Sequence, residues 1–193
     1  GFHRWIVQHV IKDQPKTVEL YDHGLAAAVS AECLVYRLNV DPPKFTFLGG
    51  FVHDLGKIVM SRFGDIDSNN IIDFSYREST TIDQAERMLL QIDHQEIGAL
   101  ALERWQFPMD FCAAIRWHHQ PDCITTDSLL AHLIHTADVM ALMMGYGPEN
   151  EGLNYKVFEK TETLLKLNST MIERTMIDAE SQIESLKRLF SFR

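Results

Sequence analysis

Apolar residues recur every three or four positions along most of the chain, and no stretch sustains an apolar–polar alternation. That spacing belongs to amphipathic helices, because positions i, i+3 and i+4 share one helical face. A first helix is expected from Thr17 to Leu38, with Leu25, Val29, Cys33 and Tyr36 on one stripe and alanines filling the gaps. Two prolines within Asn39–Lys44 turn the chain. A second helix is expected over Phe45–Arg62, buried through Leu48, Phe51, Val52, Leu55, Ile58 and Val59. Gly49 and Gly50 cost it helix propensity, so close packing is their expected reason. Phe63–Thr81 is polar and weakly patterned, a loop with room for one short helix. Helices follow over Thr81–Leu90, His94–Trp105 and Met109–Trp117, the last opened by Pro108. A sixth reaches Met144 from an N-cap at Asp127 or Ser128. Gly145–Gly152 is turn-rich, and a final helix is expected over Ser169–Phe190. The long apolar stripe of that helix suits core packing or a homodimer face. The fold class is all-α, a bundle of six or more helices.

Composition narrows the function classes. The chain has 193 residues, 46% apolar and 23% charged, which suits one domain with a true core and excludes disorder. No apolar run approaches the roughly 18 residues of a membrane span. Cys33, Cys112 and Cys123 form no CxxC pair, so neither a disulfide framework nor a thiolate zinc site is expected. A reducing, cytoplasmic setting is the expectation. Eighteen basic residues against 27 acidic give a net charge of −9, which excludes a broad nucleic-acid surface. A local site for a small phosphorylated ligand remains compatible with that charge. The unusual count is nine histidines.

Their positions are informative. Phe51-Val52-His53-Asp54-Leu55-Gly56-Lys57 sets a His, an Asp and a Lys inside apolar sequence. Burying an imidazole beside a carboxylate is costly unless something pairs them. A divalent cation does so, and a carboxylate can bridge two cations. His23, His94, the His118–His119 pair and Asp138 occupy other helices, each beside apolar residues. A bundle can converge such residues on one interior point. Each also has a plain alternative. His23 can sit at a boundary, and His94 can belong to a helix start capped by Asp93. His118 and His119 can face a helix C-terminal dipole. Asp138 can make an ion pair, and Lys57 can be an exposed helix lysine. Arg116 can bind phosphate, although an ordinary ion pair is the stronger reading.

The order His23, then His53-Asp54 with Gly56-Lys57, then Asp138 resembles the HD superfamily of metal-dependent phosphohydrolases. Within it, the stretch AERMLLQIDHQEIGALALERWQFPMDFCAAIRWHH, Ala85–His119, resembles the HDOD group, the HD-related output domains of bacterial signalling proteins. The shared features are a Glu, a DH-x-E-x-G turn, an ERW-x-x-P corner and an I-x-x-HH ending, with an H-x-AD helix further on. The likeness covers roughly Tyr21–Gly145. The ligand set also resembles that of the HD-GYP phosphodiesterases, and Glu19 matches a third-metal position there. The DG-x-GYP signature itself is absent, since Gln120-Pro121-Asp122-Cys123-Ile124 follows His119.

The resemblance implies an HD-domain helical bundle with one or two divalent ions, Fe, Mn, Ni or Zn. His23, His53, Asp54 and Asp138 would hold one ion. Asp54 would bridge to a second, held by His94, His118 and His119. A bridging water would attack phosphorus, with Asp54 and Lys57 as the catalytic pair and Lys57 stabilising phosphoryl charge. The expected function is a signalling output domain with a retained metal site, acting on signalling proteins or a small phosphorylated ligand. The alternative is an active phosphohydrolase or phosphodiesterase on a nucleotide or cyclic dinucleotide. The chain is expected to be a single HD/HDOD-like domain over 1–193, with its motif core at 19–145 and a helical extension at 153–193. It opens without a methionine, and HDOD domains carry a further N-terminal lobe, so part of such a lobe is expected to be missing. His135 is expected beside the centre, His132 in packing, and His3 and His9 have no assignment.

Overall fold

A computed structural model of the chain describes residues 15–63, 68–125, 128–147 and 156–190. They form α1 (Pro15–Leu38), α2 (Thr46–Val52), α3 (Leu55–Phe63), α4 (Ser68–Glu78), α5 (Ile82–Leu90) and α6 (His94–Arg104). Then come α7 (Met109–Arg116), a 3-10 turn (Pro121–Cys123), α8 (Leu129–Met143), α9 (Glu159–Leu165) and α10 (Ser169–Phe190). No strand occurs among the described residues, and no described helix is long and apolar enough to cross a membrane. The fold is all-α, as the periodicity requires.

Two long helices organise the bundle. α8 is buried on every residue from Ala131 to Ala141. α1 packs against α2, α8 and α10. Its Leu25, Val29 and Cys33 meet Ala141 of α8 and Ala179 and Ile183 of α10. Leu34 and Val35 meet Leu133, Met140 and Leu165. Full burial of each large aliphatic side chain contributes about 1.5–3 kcal/mol. The core face therefore shifts to Leu34 and Val35 in the last turns of α1. Tyr36, expected on the buried stripe, is 87% exposed.

Two further expectations change. The helix expected over Phe45–Arg62 is broken at His53–Asp54 into α2 and α3. There His53 Nδ1 donates to the Gly50 carbonyl at 2.7 Å, and the Lys57 amide closes a short turn onto the Asp54 carbonyl at 3.0 Å. A side chain has taken a bond of the helical ladder. The polar stretch after Phe63 holds an eleven-residue helix, α4, rather than a loop with a short one. Ile71, Ile72 and Phe74 give it a buried face against Ile82, Ala85 and Leu90.

Asp93 caps α6, accepting from the Glu96 amide at 2.8 Å. Ser128 precedes α8, but its side chain makes no capping bond. Asp127, His3, His9 and the turn beyond residue 147 lie outside the described residues.

Candidate metal centre

Backbone close approach places the polar residues. Gly50 of α2 lies against Ala28 of α1, where an added Cβ would stand 2.7 Å from the Ala28 Cα. Gly24 of α1 lies equally close to the Phe51 carbonyl. The α1–α2 crossing therefore runs through small residues, as expected for Gly50. It brings the His23 and His53 rings to a 5.0 Å centroid separation. Gly56 at the start of α3 lies under the His94 carbonyl, and an added Cβ would overlap that oxygen. This contact sets α6 beside Asp54.

The structure gathers all seven residues of the expected ligand set into one interior cluster. His23, His53, Asp54, His94, His118, His119 and Asp138 are each at most 6% exposed. Three trios have ligand atoms within 4.8 Å of one another: His23/His53/Asp138, His53/Asp54/His118 and His94/His118/His119. His23 Nε2 is 3.1 Å from Asp138 Oδ1 and 3.1 Å from His53 Nε2. Asp54 lies between the groups. Its Oδ2 is 3.6 Å from both His23 Nε2 and His53 Nε2, while its Oδ1 is 3.3 Å from His94 Nε2. His119 Nδ1 faces Asp138 Oδ2 at 3.5 Å. Lys57 Nζ stands 3.0 Å from Asp54 Oδ2 and is mostly buried, not an exposed helix lysine.

The outward ring nitrogens are held. His23 Nδ1 donates to the Tyr146 carbonyl at 2.8 Å and His118 Nδ1 to the Ile115 carbonyl at 2.7 Å. His53 does the same to Gly50. His94 Nδ1 meets Glu86 Oε2 at 2.6 Å, and the same oxygen accepts the His94 amide at 2.8 Å. A carbonyl can only accept, so the Nδ1 atoms of His23, His53 and His118 carry protons, and all four rings turn Nε2 inward, where it offers a lone pair once unprotonated. The His94 and His118 Nε2 atoms and Asp138 Oδ2 are buried without hydrogen-bond partners. The His23 and His53 Nε2 atoms, 3.1 Å apart, share a position for a proton or a cation between them. Inward imidazole lone pairs with two buried carboxylates suit divalent metal, so the cluster can hold one.

The protonation pattern agrees. Burial disfavours a charged His23, but the hydrogen bond and charge of Asp138, with Asp54, outweigh it and raise the pKa to about 9. Burial likewise opposes charge on His94, and Glu86 overcomes it, again to about 9. Burial and neighbouring imidazoles hold His118 and His119 well below the usual histidine value. Burial works against Asp54 and Asp138 as anions, yet Lys57 and nearby imidazoles for Asp54, and hydrogen bonds from His23 and His53 for Asp138, hold both well below the usual carboxylate range. Without metal, His23 and His94 thus carry protons that a cation must displace. Their raised pKa values stabilise the metal-free fold fully below pH 6.5, and this contribution is lost as pH rises through about 9. The expected result is metal affinity that climbs with pH up to about 9, and a thermal gain on metal addition that grows alike. Calorimetry in buffers of different ionisation enthalpy checks it, and an affinity flat over that range contradicts it.

Other residues sort differently. Glu19 is exposed on α1 and stands outside these groupings. Arg116 makes an ion pair, with Nε and Nη2 on Glu96 at 2.8 and 3.1 Å and Nη1 on Glu103 at 2.9 Å. His135 Nδ1 donates to the His118 carbonyl at 2.9 Å, beside the centre as expected. His132 does more than pack, since its Nδ1 bonds Thr161 Oγ1 at 2.7 Å and ties α8 to α9. Glu86 had no role in the sequence reasoning. The resemblance includes a Glu in that stretch, but eight residues and a helix break separate it from His94.

Residues 4–121 match the HDOD domain. The chain belongs to the HDOD domain family. Solved structures agree in fold. An HDOD domain protein of unknown function from Geobacter sulfurreducens superposes with a TM-score of 0.63 at 21% identity, over 89% of this chain. A Shewanella amazonensis SB2B protein, provisionally assigned as a phosphohydrolase, gives 0.63 at 19% identity over 89% of this chain. A Marinobacter aquaeolei VT8 protein, provisionally assigned to signal transduction, gives 0.68 at 17% identity over 86%. The chain spans 58%, 65% and 38% of those proteins, respectively. No curated protein matches it. This HDOD domain shares their helical architecture.

Proposed function

We propose that this HDOD domain is a cytoplasmic bacterial signalling output module with a retained divalent-metal centre. The observation that carries this reading is Asp54, whose two oxygens face different histidine groups at 3.3 and 3.6 Å. His23, His53, Asp54 and Asp138 are the proposed ligands of one ion. His94, His118 and His119, with Asp54 shared, are those of a second. Fe, Mn, Ni or Zn suits this nitrogen and oxygen set. Bound cations would supply Lewis acidity toward water and a phosphoryl oxygen. The chain's own residues orient and exclude. Glu86 and the three backbone carbonyls fix the rings, the apolar helices keep bulk water out, and Lys57 offers an ammonium beside Asp54. The proposed partner is a signalling protein or a small phosphorylated ligand. The proposed organisation is a single domain with its motif core at 19–145 and a helical extension that can serve a homodimer.

A second reading, an active phosphodiesterase, is favoured by Lys57, which could meet phosphoryl charge where Asp54 sits. Assays of bis-p-nitrophenyl phosphate and cyclic dinucleotides with Mn or Fe separate the two. The signalling reading predicts bound metal without turnover. Turnover that disappears in Asp54→Ala would replace it with the enzyme reading.

A further inference from the structure

The turn after α8 reaches into the centre. The Gly145 amide donates to the Leu142 carbonyl at 3.0 Å, and the Tyr146 amide to the Ala141 carbonyl at 2.9 Å. Gly145 has φ +85°, the left-handed conformation that glycine adopts without strain. This bond pair is a Schellman cap, which fixes the backbone just past the helix. It aims the Tyr146 carbonyl at His23 Nδ1. The side chain runs the other way. The Tyr146 hydroxyl donates to Glu180 Oε1 of α10 at 3.0 Å, and the Lys187 ammonium of α10 lies 4.8 Å from the ring centroid. That ammonium also meets Asp22, the neighbour of His23, at 2.9 Å. One residue therefore joins the His23 ring to the C-terminal helix. Both Tyr146 and α10 lie beyond the 4–121 span of the family match.

We propose that Tyr146 is a positioning residue, coupling the docking of α10 to the orientation of His23 in the metal centre. The proposal rests on His23 being a metal ligand. The carbonyl fixes both the ring's rotation and its tautomer, so that Nε2 faces inward. When α10 leaves, the tyrosine loses its anchors and the ring its fixed partner. Anything that binds or displaces α10 then changes metal affinity, and metal occupancy changes how firmly α10 is held.

The test titrates Co²⁺ alone into metal-free wild type, Tyr146→Ala and Tyr146→Phe, following heat, the visible Co²⁺ spectrum and hydrogen exchange across α10. Tyr146→Ala is expected to bind at least about tenfold more weakly, with an altered spectrum. Co²⁺ is expected to slow exchange in α10 of the wild type only. A purely structural role would lower the melting temperature and leave affinity and spectrum at wild-type values, which overturns the proposal. If Tyr146→Ala does not fold, Tyr146→Phe decides. It keeps the ring and loses the Glu180 bond, and an affinity loss of about fivefold is expected. Wild-type affinity in that variant overturns the coupling. Failure of the wild type to bind Co²⁺ would instead sink the metal reading. The His23 Nδ1 proton, observed by NMR in metal-free protein, then decides the positioning role. Loss of that signal in Tyr146→Ala supports it, and an unchanged signal overturns it.

Discussion

Asp54→Ala is expected to strip the protein of metal, taking content from about one to two ions per chain to below about 0.2. The Asp54 carboxylate faces both histidine groups, as does that of Asp138, which meets His23 at 3.1 Å and His119 at 3.5 Å. Asp54 Oδ1 serves His94 while Asp54 Oδ2 faces His23, His53 and Lys57. Removing Asp54 leaves the Lys57 ammonium beside buried imidazoles without their shared anion. Breaking a buried pair in this way costs about 3–5 kcal/mol, so the metal-free fold should weaken as well. Asp54→Asn keeps the shape of the side chain and separates the two effects. It should fold more stably than Asp54→Ala and still lose most of its metal. Metal analysis with circular dichroism checks both variants. Retention of near wild-type metal in folded Asp54→Asn contradicts a bridging role.

The second large effect comes from a single added methyl. Gly56→Ala places a Cβ onto the His94 backbone carbonyl, and a backbone atom cannot swing aside as a flexible side chain can. α3 and α6 must separate, and with them Asp54 and His94. Overpacking of this kind costs about 1–3 kcal/mol and occasionally more. Urea unfolding should show that loss, together with reduced metal content from the displaced His94. A variant within about 0.5 kcal/mol of wild type, with metal intact, would show that the contact does not set the centre.

Much of the architecture was legible because the core rests on local periodicity. The positions of α1, α6, α7, α8 and α10 follow from it closely. The break between α2 and α3 does not, because it depends on the His53 ring taking the Gly50 carbonyl. Tyr36 fits the helical stripe, but α8 and α9 pack on Leu34 and Val35 instead. α4 was hidden by its polar composition, since its buried face exists only against α5.

The candidate site was legible where charge interrupts apolar sequence: His53-Asp54, His94, His118-His119 and Asp138 all announce themselves that way. The groups that orient them were not. Glu86 reaches His94 across a helix break, and the Tyr146 carbonyl is a backbone atom that no pattern marks. Glu19, which the likeness to HD-GYP enzymes matches to a third-metal position, is exposed and belongs to none of the three trios.

The most direct test is elemental analysis of wild-type protein, grown with added metal and purified without chelator. The account predicts about one to two transition ions per chain, displaced as pH falls. Less than about 0.2 per chain under those conditions contradicts a metal-holding centre.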